Sequence, residues 1–321
     1  MRNIILTTYD TAFFHHGGGE REMFLLCDAL NASNMQAEMY GPNSKPIDSY
    51  DAAIHSSLTP ESSHFVATLR ENVSALYLWQ NVWFVEEPSV SYINNISEQL
   101  RKFDYIIFKS DAEENNFLQY FTVPENKIIR VVTGVDLSFG IQEDSDIFRD
   151  VHNLDEYLFW PGIIEPQKNQ LTAINALKNL DIPIVFAGDI RDRGYYDLCK
   201  SVAPKSYLFL NEMPPASQLL RSAMCYCKLY IEIPTDFPGI SAFEAALSGC
   251  HMVLNDCEWS RSHFSDDAVY VNPFSEDEIL STVTNALLCD YDDPINTKKY
   301  RQYLSPNAYN ELVVSLNSSL V

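Results

Sequence analysis

The sequence Asp-Phe-Pro-Gly-Ile-Ser-Ala-Phe-Glu, residues 236–244, decides the fold of the chain. It follows an apolar run with strand character, Cys225–Ile233, and it leads into the small-residue helical segment Ala245–Gly249. A strand, a turn and a helix in this order are typical of α/β proteins with parallel sheets. The carboxylates of Asp236 and Glu244 flank the turn, beside a helix start with unpaired backbone N–H groups and partial positive charge. This arrangement suits a ligand rich in hydroxyls, because carboxylates accept from hydroxyls and N–H groups donate to them.

Short β-rich runs alternate with amphipathic helical patterns along the whole chain. This alternation predicts parallel sheets with helices on both faces, and two series of strands predict two doubly wound domains. The expected strands are Asn3–Thr8, Gln36–Tyr40, Ala52–His55, Ala75–Trp79, Tyr105–Lys109 and Ile128–Val132 in the first series, and Tyr157–Trp160, Ile182–Ala187, Ser206–Leu210, Cys225–Ile233, Met252–Asn255 and Ala268–Val271 in the second.

The border between the domains is expected between Phe139 and Asp155, where the stretch Gln142–Asp155 is acidic and weakly periodic. We therefore predict an N-terminal Rossmann-like domain, residues 1–150, and a C-terminal domain, residues 151–321. We allow for the last helical stretch, Asn296–Leu320, to fold back onto the first domain.

Composition indicates a globular protein of more than one domain. The chain has 321 residues, of which 46% are apolar and 21% charged, and such a balance is typical of folded sequences. Its formal net charge is −22, with acidic residues in both halves. Nucleic acid is therefore not expected as a partner, because phosphate contacts need clustered cations. Electrostatic docking on anionic lipid is disfavoured for the same reason.

Stable membrane insertion is not expected, and neither is a disulfide framework. Every apolar run is shorter than the roughly 20 residues that span a bilayer, and the first strand is too short for the apolar region of a signal peptide. The seven cysteines are scattered and lack the spacing of a zinc site. Reduced thiols of this kind are typical of a cytoplasmic protein.

A run of glycines, Gly17, Gly18 and Gly19, follows the first strand and opens the first helix. Glycines let the backbone approach a ligand closely, and their N–H groups can face a phosphate or a sugar. A flexible turn is the other interpretation, and the sequence leaves both open. The dinucleotide fingerprint needs a third glycine where Glu22 stands, so a nicotinamide-dependent dehydrogenase is disfavoured.

Two loops of the second domain place cations after strands, at the edge where parallel sheets bind ligands. Lys168 is expected at the entry to a helix, a poor place for a cation because the helix N-terminus prefers anions. A ligand phosphate would explain this lysine, and a solvated surface lysine is the alternative. Arg191 and Arg193 follow the strand Ile182–Ala187. They either supply positive charge to a site or pair with neighbouring aspartates.

Together these motifs resemble those of the retaining, nucleotide-sugar-dependent glycosyltransferases of the GT-B fold, in the family-four group known as glycosyl transferases group 1. The resemblance covers nearly the whole chain, and the order and spacing of the motifs carry more weight than any one of them. The motifs are Gly17–Glu20, Ser110–Ala112, Val132–Asp136, Gly162 with Lys168, Phe186–Asp189, and the two acids at 236 and 244 followed by Ala246–Cys250.

The resemblance implies an α/β protein with two doubly wound Rossmann-like domains facing a cleft. Residues 1–150 would form the acceptor-side domain, and residues 151–321 would form the domain that binds the nucleotide sugar. It also implies transfer of a hexosyl unit from a nucleotide diphosphate sugar to a hydroxyl acceptor, a glycan or a small molecule, with retention of anomeric configuration. The donor is a substrate, so no cofactor is expected. No metal is expected either, because Lys168 and the helix termini would stabilise the charge of the leaving diphosphate.

The resemblance further implies a role for each site residue. Lys168 would neutralise the leaving diphosphate, and Asp236 would contact hydroxyls of the donor sugar. Glu244, expected in the first turn of its helix, would accept from the ribose hydroxyls of the nucleotide. The donor-binding set would be completed by Gly17, Gly18, Gly19, Gly239, Ile240 and Ser241.

Three positions depart from the family pattern. Ile163 stands where the family usually has an arginine on the diphosphate, Asp236 replaces a glutamate, and Trp79–Asn81 stands where a histidine is expected near the sugar. Losing one charged contact of this kind costs on the order of 2–4 kcal/mol of transition-state stabilisation, unless Arg191 or Arg193 compensates. The departures favour a second interpretation, a non-catalytic GT-B protein that binds a nucleotide sugar or a glycan as an interaction module.

Overall fold

The computed structural model of the chain describes residues 2–9, 12, 18–289 and 295–319. The chain forms two compact units, one of Met1–Val135 with Gln302–Val321 and the other of Asp136–Arg301. Each unit is built on one parallel sheet of six strands. The predicted α/β fold with two Rossmann-like domains is thereby confirmed.

The strands and helices alternate along the described residues as expected. The strands are β1 (Asn3–Thr7), β2 (Gln36–Met39), β3 (Ala52–Ser56), β4 (Ala75–Trp79), β5 (Tyr105–Phe108), β6 (Ile128–Arg130), β7 (Leu158–Pro161), β8 (Ile184–Ala187), β9 (Leu208–Leu210), β10 (Leu229–Glu232), β11 (Met252–Asn255) and β12 (Ala268–Val271). The α-helices are α1 (Gly18–Ala32), α2 (Ser63–Asn72), α3 (Val90–Leu100), α4 (Asp111–Leu118), α5 (Ile147–His152), α6 (Gln170–Leu177), α7 (Arg193–Val202), α8 (Gln218–Cys225), α9 (Ile240–Leu247), α10 (Glu258–Phe264), α11 (Glu276–Leu288) and α12 (Asn310–Ser319).

Several helix starts are fixed by a short polar side chain. The residue before each of these helices accepts a hydrogen bond from a backbone N–H in the first turn, which stabilises a helix by about 1 kcal/mol. These capping residues are Ser89 before α3, Ser110 before α4, Asp192 before α7, Ser217 before α8 and Ser275 before α11.

The first sheet has the strand order β2-β1-β3-β4-β5-β6. Alternate residues of a strand point to opposite faces. Accordingly Ile4 and Leu6 lie in one buried apolar cluster, and Ile5 lies in another. The second sheet has the order β12-β11-β10-β7-β8-β9, so that β7 lies between β10 and β8.

The C-terminal helix α12 belongs to the first unit. Its residues Leu312 and Leu316, with Tyr309 just before it, are completely buried in the same cluster as Ile4 and Trp79. The ring centroids of Tyr309 and Trp79 lie 5.8 Å apart. The last helix therefore completes the core of the first unit.

The border between the two units lies at Val135 and Asp136, ahead of the border expected between residues 150 and 151. Helix α5 explains this position, because Phe148 packs on Tyr157 with ring centroids 5.3 Å apart. The backbone N–H of Phe148 also donates to Ser222 Oγ, 3.1 Å away. The roles expected for the two units, acceptor side and nucleotide-sugar side, stay predictions.

The expected strand Cys225–Ile233 is wrong at its amino end. Cys225 is the last residue of α8, and only Leu229–Glu232 forms the strand β10. The sequence there is one apolar run shared between a helix end and a strand. Periodicity alone does not separate a short buried helix from a buried strand.

Candidate functional site

Lys168 and Asp236 meet at the carboxyl ends of β7 and β10. These two strands are neighbours in the sheet but not in the chain, because β7 continues to β8 on its other side. Ligands of parallel α/β sheets bind at such a point, outside the carboxyl ends of the strands. The connection after β7 carries Lys168, and the connection after β10 carries Asp236.

Two hydrogen bonds bring these connections together. Both the backbone N–H and the hydroxyl of Thr235 donate to the carbonyl oxygen of Gln167, over 2.9 and 3.2 Å. The next residues along each connection form an ion pair, with Lys168 Nζ 3.3 Å from Asp236 Oδ1. The two side chains are 21% and 22% exposed. The pair is therefore accessible to a ligand and held on a fixed backbone.

Asn169 holds the Lys168 turn in place. Pro166–Lys168 form one turn of 3-10 helix, and Asn169 follows with a left-handed φ of 62° before α6 begins. Asparagine tolerates this conformation better than most residues. Its Nδ2 donates to the carbonyl oxygens of Ile233 and Pro273, over 3.1 and 2.7 Å. The turn is thus joined to the ends of two other strands.

Asn255, the last residue of β11, holds the Asp236 turn from the other side. Its Nδ2 donates to the carbonyl oxygens of Pro234 and Asp236, over 3.0 and 2.7 Å. Its Oδ1 accepts from Ser260 Oγ at 3.0 Å, so both ends of the buried amide are used. Neither Asn169 nor Asn255 was expected from the sequence. The one available signal was a polar residue ending the apolar strand Met252–Asn255.

Glu232 is a third residue that sequence reasoning missed. It ends β10 and is 3% exposed, and its Oε2 accepts from the hydroxyls of Tyr230 and Ser241. Burial raises its pKa, whereas the charge of Lys168 and the hydrogen bonds from Tyr230, Ser241 and the Gly239 backbone oppose that shift. A single acid inside an apolar strand run was the signal that could have found it.

Glu244 lies one turn further into its helix than expected. Helix α9 begins at Ile240, and its first turn contains no acid, so the expectation that Glu244 lies in the first turn is wrong. The reason is that Gly239 is extended and forms the residue before the helix, which leaves Glu244 in the second turn. Glu244 is 3% exposed, and its charge is one of the causes that raise the pKa of Tyr230.

Ile240 and Ser241 open α9 with Gly239 before them, as expected. Pro238 and Ile240 are buried, while Gly239 and Ser241 are partly exposed. The turn therefore presents a glycine backbone and a hydroxyl on the same edge of the sheet as the Lys168–Asp236 pair.

Ile163 is a packed residue of the same connection as Lys168. It is 8% exposed, and its carbonyl oxygen accepts from Gln170 Nε2 at 2.8 Å. Beside it the chain passes very close to itself, since a Cβ on Gly188 would lie 1.9 Å from the Gly162 carbonyl oxygen. Gly162 has a φ of +145°, which favours glycine. An apolar side chain thus occupies the position for which the resemblance implies an arginine.

The two arginines have different surroundings. Arg191 pairs with Glu165, with 3.2 Å between Nη1 and Oε2, and Glu165 directly precedes the 3-10 turn that holds Lys168. Arg193 begins α7, where it pairs with Asp197 at 3.2 Å and its side chain is 73% exposed. Arg191 therefore lies on the connection after β8 and pairs with a residue of the connection that carries Lys168. Arg193 pairs with a residue of its own helix.

The structure describes two of the three glycines predicted to bind the donor in the first unit. Gly17 lies outside the described residues, and Gly18 and Gly19 open helix α1. A Cβ on Gly19 would lie 3.0 Å from Asn81 Nδ2, and that amide donates to Ser57 Oγ at 3.1 Å. The helix start therefore packs closely on a residue of the connection after β4.

A buried charge cluster lies at the same end of the first sheet. Lys109 Nζ lies 2.9 Å from Glu22 Oε2 and 3.4 Å from Glu113 Oε1. Trp79 Nε1 donates to Glu22 over 3.2 Å. Burial raises the pKa of Glu113 to about 7, although the charge of Lys109 opposes this shift. Glu22 stands where the dinucleotide-binding fingerprint would need its third glycine. It is a buried carboxylate that pairs with Lys109.

His55 is a second buried titratable group of the first unit. Its Nδ1 lies 3.0 Å from Thr7 Oγ1, and Nε2 has no hydrogen-bond partner among the described residues. Burial lowers the pKa of His55 to about 4. The imidazole is therefore neutral in the folded protein at neutral pH.

The described residues contain no group of three or more histidines, cysteines, aspartates or glutamates that could hold a metal ion. Metal independence stays a prediction. In the same part of the chain, each helix is too short or too polar to cross a bilayer.

The fold is that of the GT-B glycosyltransferases, as the motifs implied. The chain is similar to sucrose-phosphate synthase from Thermosynechococcus elongatus, with a TM-score of 0.77 at 14% identity over 99% of this chain and 98% of that chain. It is similar to Anabaena HepE in complex with UDP-glucose, with a TM-score of 0.75 at 14% identity over 100% of this chain and 98% of that chain. It is also similar to a glycosyltransferase from Rickettsia africae, with a TM-score of 0.68 at 14% identity over 99% of this chain and 96% of that chain.

No family model and no curated protein matches the sequence. At the identities found among solved structures, the likeness establishes the fold. The chemistry has to be argued from the residues of this chain.

Proposed function

We propose that the protein is a glycosyltransferase that moves a hexosyl unit from a nucleotide diphosphate sugar to a hydroxyl acceptor with retention. Its acceptor would be a glycan or a small molecule. We further propose that it acts in the cytoplasm, in keeping with seven cysteines that are all free, and that the reaction needs neither a metal nor a cofactor.

The observation that carries this proposal is the ion pair of Lys168 and Asp236 at the carboxyl ends of β7 and β10. One connection supplies a cation and the other a carboxylate, side by side and accessible. In the proposed reaction Lys168 leaves Asp236 to stabilise the negative charge that develops on the leaving diphosphate. Asp236 then accepts hydrogen bonds from hydroxyls of the transferred sugar.

Glu244 is proposed to accept from the ribose hydroxyls of the nucleotide. It lies one turn into α9, below the turn that starts at Gly239. Its low exposure supports this role, because a hydrogen bond to a carboxylate is stronger where water is excluded. The backbone N–H groups at the start of α9 are proposed to donate to sugar or phosphate oxygens.

Arg191 is the better candidate for a second cation on the diphosphate. Its ion pair with Glu165 joins it to the connection that carries Lys168. Arg193 is mostly exposed and paired along α7, and we assign it a weaker contribution. The proposed role of Gly17, Gly18 and Gly19 is to let the backbone approach the donor pyrophosphate.

A second candidate function rests on Ile163. This residue is buried and apolar, where the family usually places an arginine against the diphosphate. A protein with one cation fewer would bind a nucleotide sugar or a glycan without efficient transfer. It would then act as an interaction module with the GT-B fold.

A turnover assay separates the two functions. Release of nucleoside diphosphate is measured with UDP-, GDP- and ADP-hexoses, each with a set of sugar and polyol acceptors. The matched variants are Lys168→Met and Lys178→Met. Lys178 is an exposed lysine that follows α6 and contacts Asn175.

The proposal expects turnover by the wild type and by Lys178→Met. Lys168→Met should be slower by roughly 30- to 1000-fold, which corresponds to about 2–4 kcal/mol of lost charge stabilisation. Binding without turnover across the set would favour the interaction module. Equal turnover by the two variants would show that Lys168 is not the catalytic cation.

A further inference from the structure

Glu232 occupies an unusual place for a charged residue. It lies on the central strand β10 with 3% exposure, directly beneath the start of α9. Burying a carboxyl group is costly unless its oxygens are hydrogen-bonded. The hydrogen-bond partners of this carboxyl group therefore show which residues Glu232 holds in place.

The hydrogen-bond partners of Glu232 are two residues at the start of α9 and one residue of β10. Ser241 Oγ donates to Glu232 Oε2 at 2.9 Å, and the Gly239 backbone donates to the same carboxyl group. Tyr230, two residues earlier on the same face of β10, donates its hydroxyl to Oε2 as well. The buried carboxyl group thus holds the start of α9 by hydrogen bonds to Ser241 and to the Gly239 backbone.

These bonds decide what the turn can offer to a ligand. The hydroxyl of Ser241 has one proton, and that proton points to Glu232. Ser241 is partly exposed, so its oxygen lone pairs remain for a ligand. A lone pair accepts from a sugar hydroxyl, whereas it repels the oxygen of an ionised phosphate, which has no proton to donate.

We infer that Glu232 is a positioning residue that makes Ser241 a pure acceptor and thereby favours a sugar hydroxyl over a phosphate at the start of α9. The inference rests on the proposed function, since it assigns the sugar side of the same site. Glu232 itself acts through Ser241 and Gly239 and does not touch the ligand.

Glu232→Gln tests this orientation with little change in size. The amide can donate to Ser241 Oγ, which frees the hydroxyl proton to turn toward a ligand. Ser241 would then suit phosphate as well as hydroxyl. Ser241→Ala removes the acceptor altogether and leaves Glu232 in place.

The experiment is isothermal titration calorimetry with UDP and UDP-glucose, run beside the GDP and GDP-mannose pair and the ADP and ADP-glucose pair. For each pair, the quantity compared is the dissociation constant of the nucleoside diphosphate divided by that of the corresponding nucleotide sugar. Thermal unfolding is recorded for every variant. The controls are Ser248→Ala, a serine at the far end of α9 that donates to the Glu244 carbonyl oxygen, and Glu143→Gln, a buried carboxyl group held by Arg221.

The inference expects the preference for the nucleotide sugar to fall roughly three- to tenfold in Glu232→Gln and in Ser241→Ala, the effect of one hydrogen bond. Both controls should keep the wild-type ratio. A merely structural role of Glu232 would weaken both ligands together and leave the ratio unchanged, which overturns the inference.

Two outcomes separate this inference from the proposed function. If the wild type binds none of the six ligands, the proposed function fails and the inference falls with it. If the wild type prefers a nucleotide sugar and Ser241→Ala keeps that preference, the inference alone is overturned. The second result is decisive even if Glu232→Gln does not fold.

Discussion

Replacing His55 by asparagine should flatten the pH dependence of the stability of the first unit. Burial lowers the pKa of the folded histidine to about 4 from the ordinary value of 6.5. The unfolded chain therefore takes up a proton between these values that the folded chain refuses. The stability that His55 contributes is complete above pH 6.5 and is lost as the pH falls toward 4.

The size of the effect follows from the difference between 6.5 and about 4, which is about 2.5 pKa units. At 1.36 kcal/mol for each unit, the full difference is roughly 3 kcal/mol. About 2 kcal/mol of it is lost between pH 7 and pH 5, since the folded histidine hardly titrates in that range.

Urea unfolding at pH 7, 6 and 5 measures this loss. Trp160 and Trp259 of the second unit are first replaced by phenylalanine, so that fluorescence reports the first unit alone. His55→Asn is then compared with His55 in this background, and the slope with pH is read rather than the absolute stability. Glu113 titrates in the opposite sense, because its raised pKa of about 7 costs stability as the pH rises, but it cancels in the comparison.

The protein that keeps His55 should lose about 2 kcal/mol more than His55→Asn between pH 7 and pH 5. A parallel loss of stability in the two proteins would refute a neutral, buried His55. His55 would then be charged or solvated in the folded protein.

Three further predictions concern single contacts. Lys109→Met should cost about 3–5 kcal/mol in urea unfolding, because it leaves two buried carboxyl groups without their cation, and adding Glu113→Gln should recover part of the loss. Gly188→Ala should cost about 1–3 kcal/mol or more in thermal unfolding, because its Cβ would lie 1.9 Å from the Gly162 carbonyl oxygen. Lys168→Met should weaken nucleoside diphosphate binding roughly 10- to 100-fold by calorimetry, and an unchanged affinity would remove Lys168 from the site.

Much of the fold could be predicted because its strands are short buried runs between polar segments. β4, β11 and β12 begin and end at the residues expected from sequence. The run that ends in β10 was misjudged, since a helix end and a strand share one apolar pattern there. The sequence does not predict which domain the last helix, α12, packs against, because an amphipathic pattern does not say which sheet a helix covers.

The candidate site could be predicted only as separate pieces. The rule that ligands bind at the carboxyl ends of parallel strands places Lys168 and Asp236 at one edge, but not in contact. Their pairing depends on the bonds of Thr235 to Gln167, which no spacing in the sequence announces. Glu232 was missed because its role comes from Ser241, a residue of the next element.

A crystal structure with a nucleoside diphosphate bound would show directly whether Lys168 and Glu244 form the donor site. We predict that the diphosphate contacts Lys168 at the carboxyl ends of β7 and β10 and that the ribose hydroxyls donate to the carboxylate of Glu244. Lys168 Nζ should leave Asp236, from which it is 3.3 Å away without ligand. A diphosphate bound elsewhere on the chain, with this ion pair intact, would show that these residues do not form the donor site.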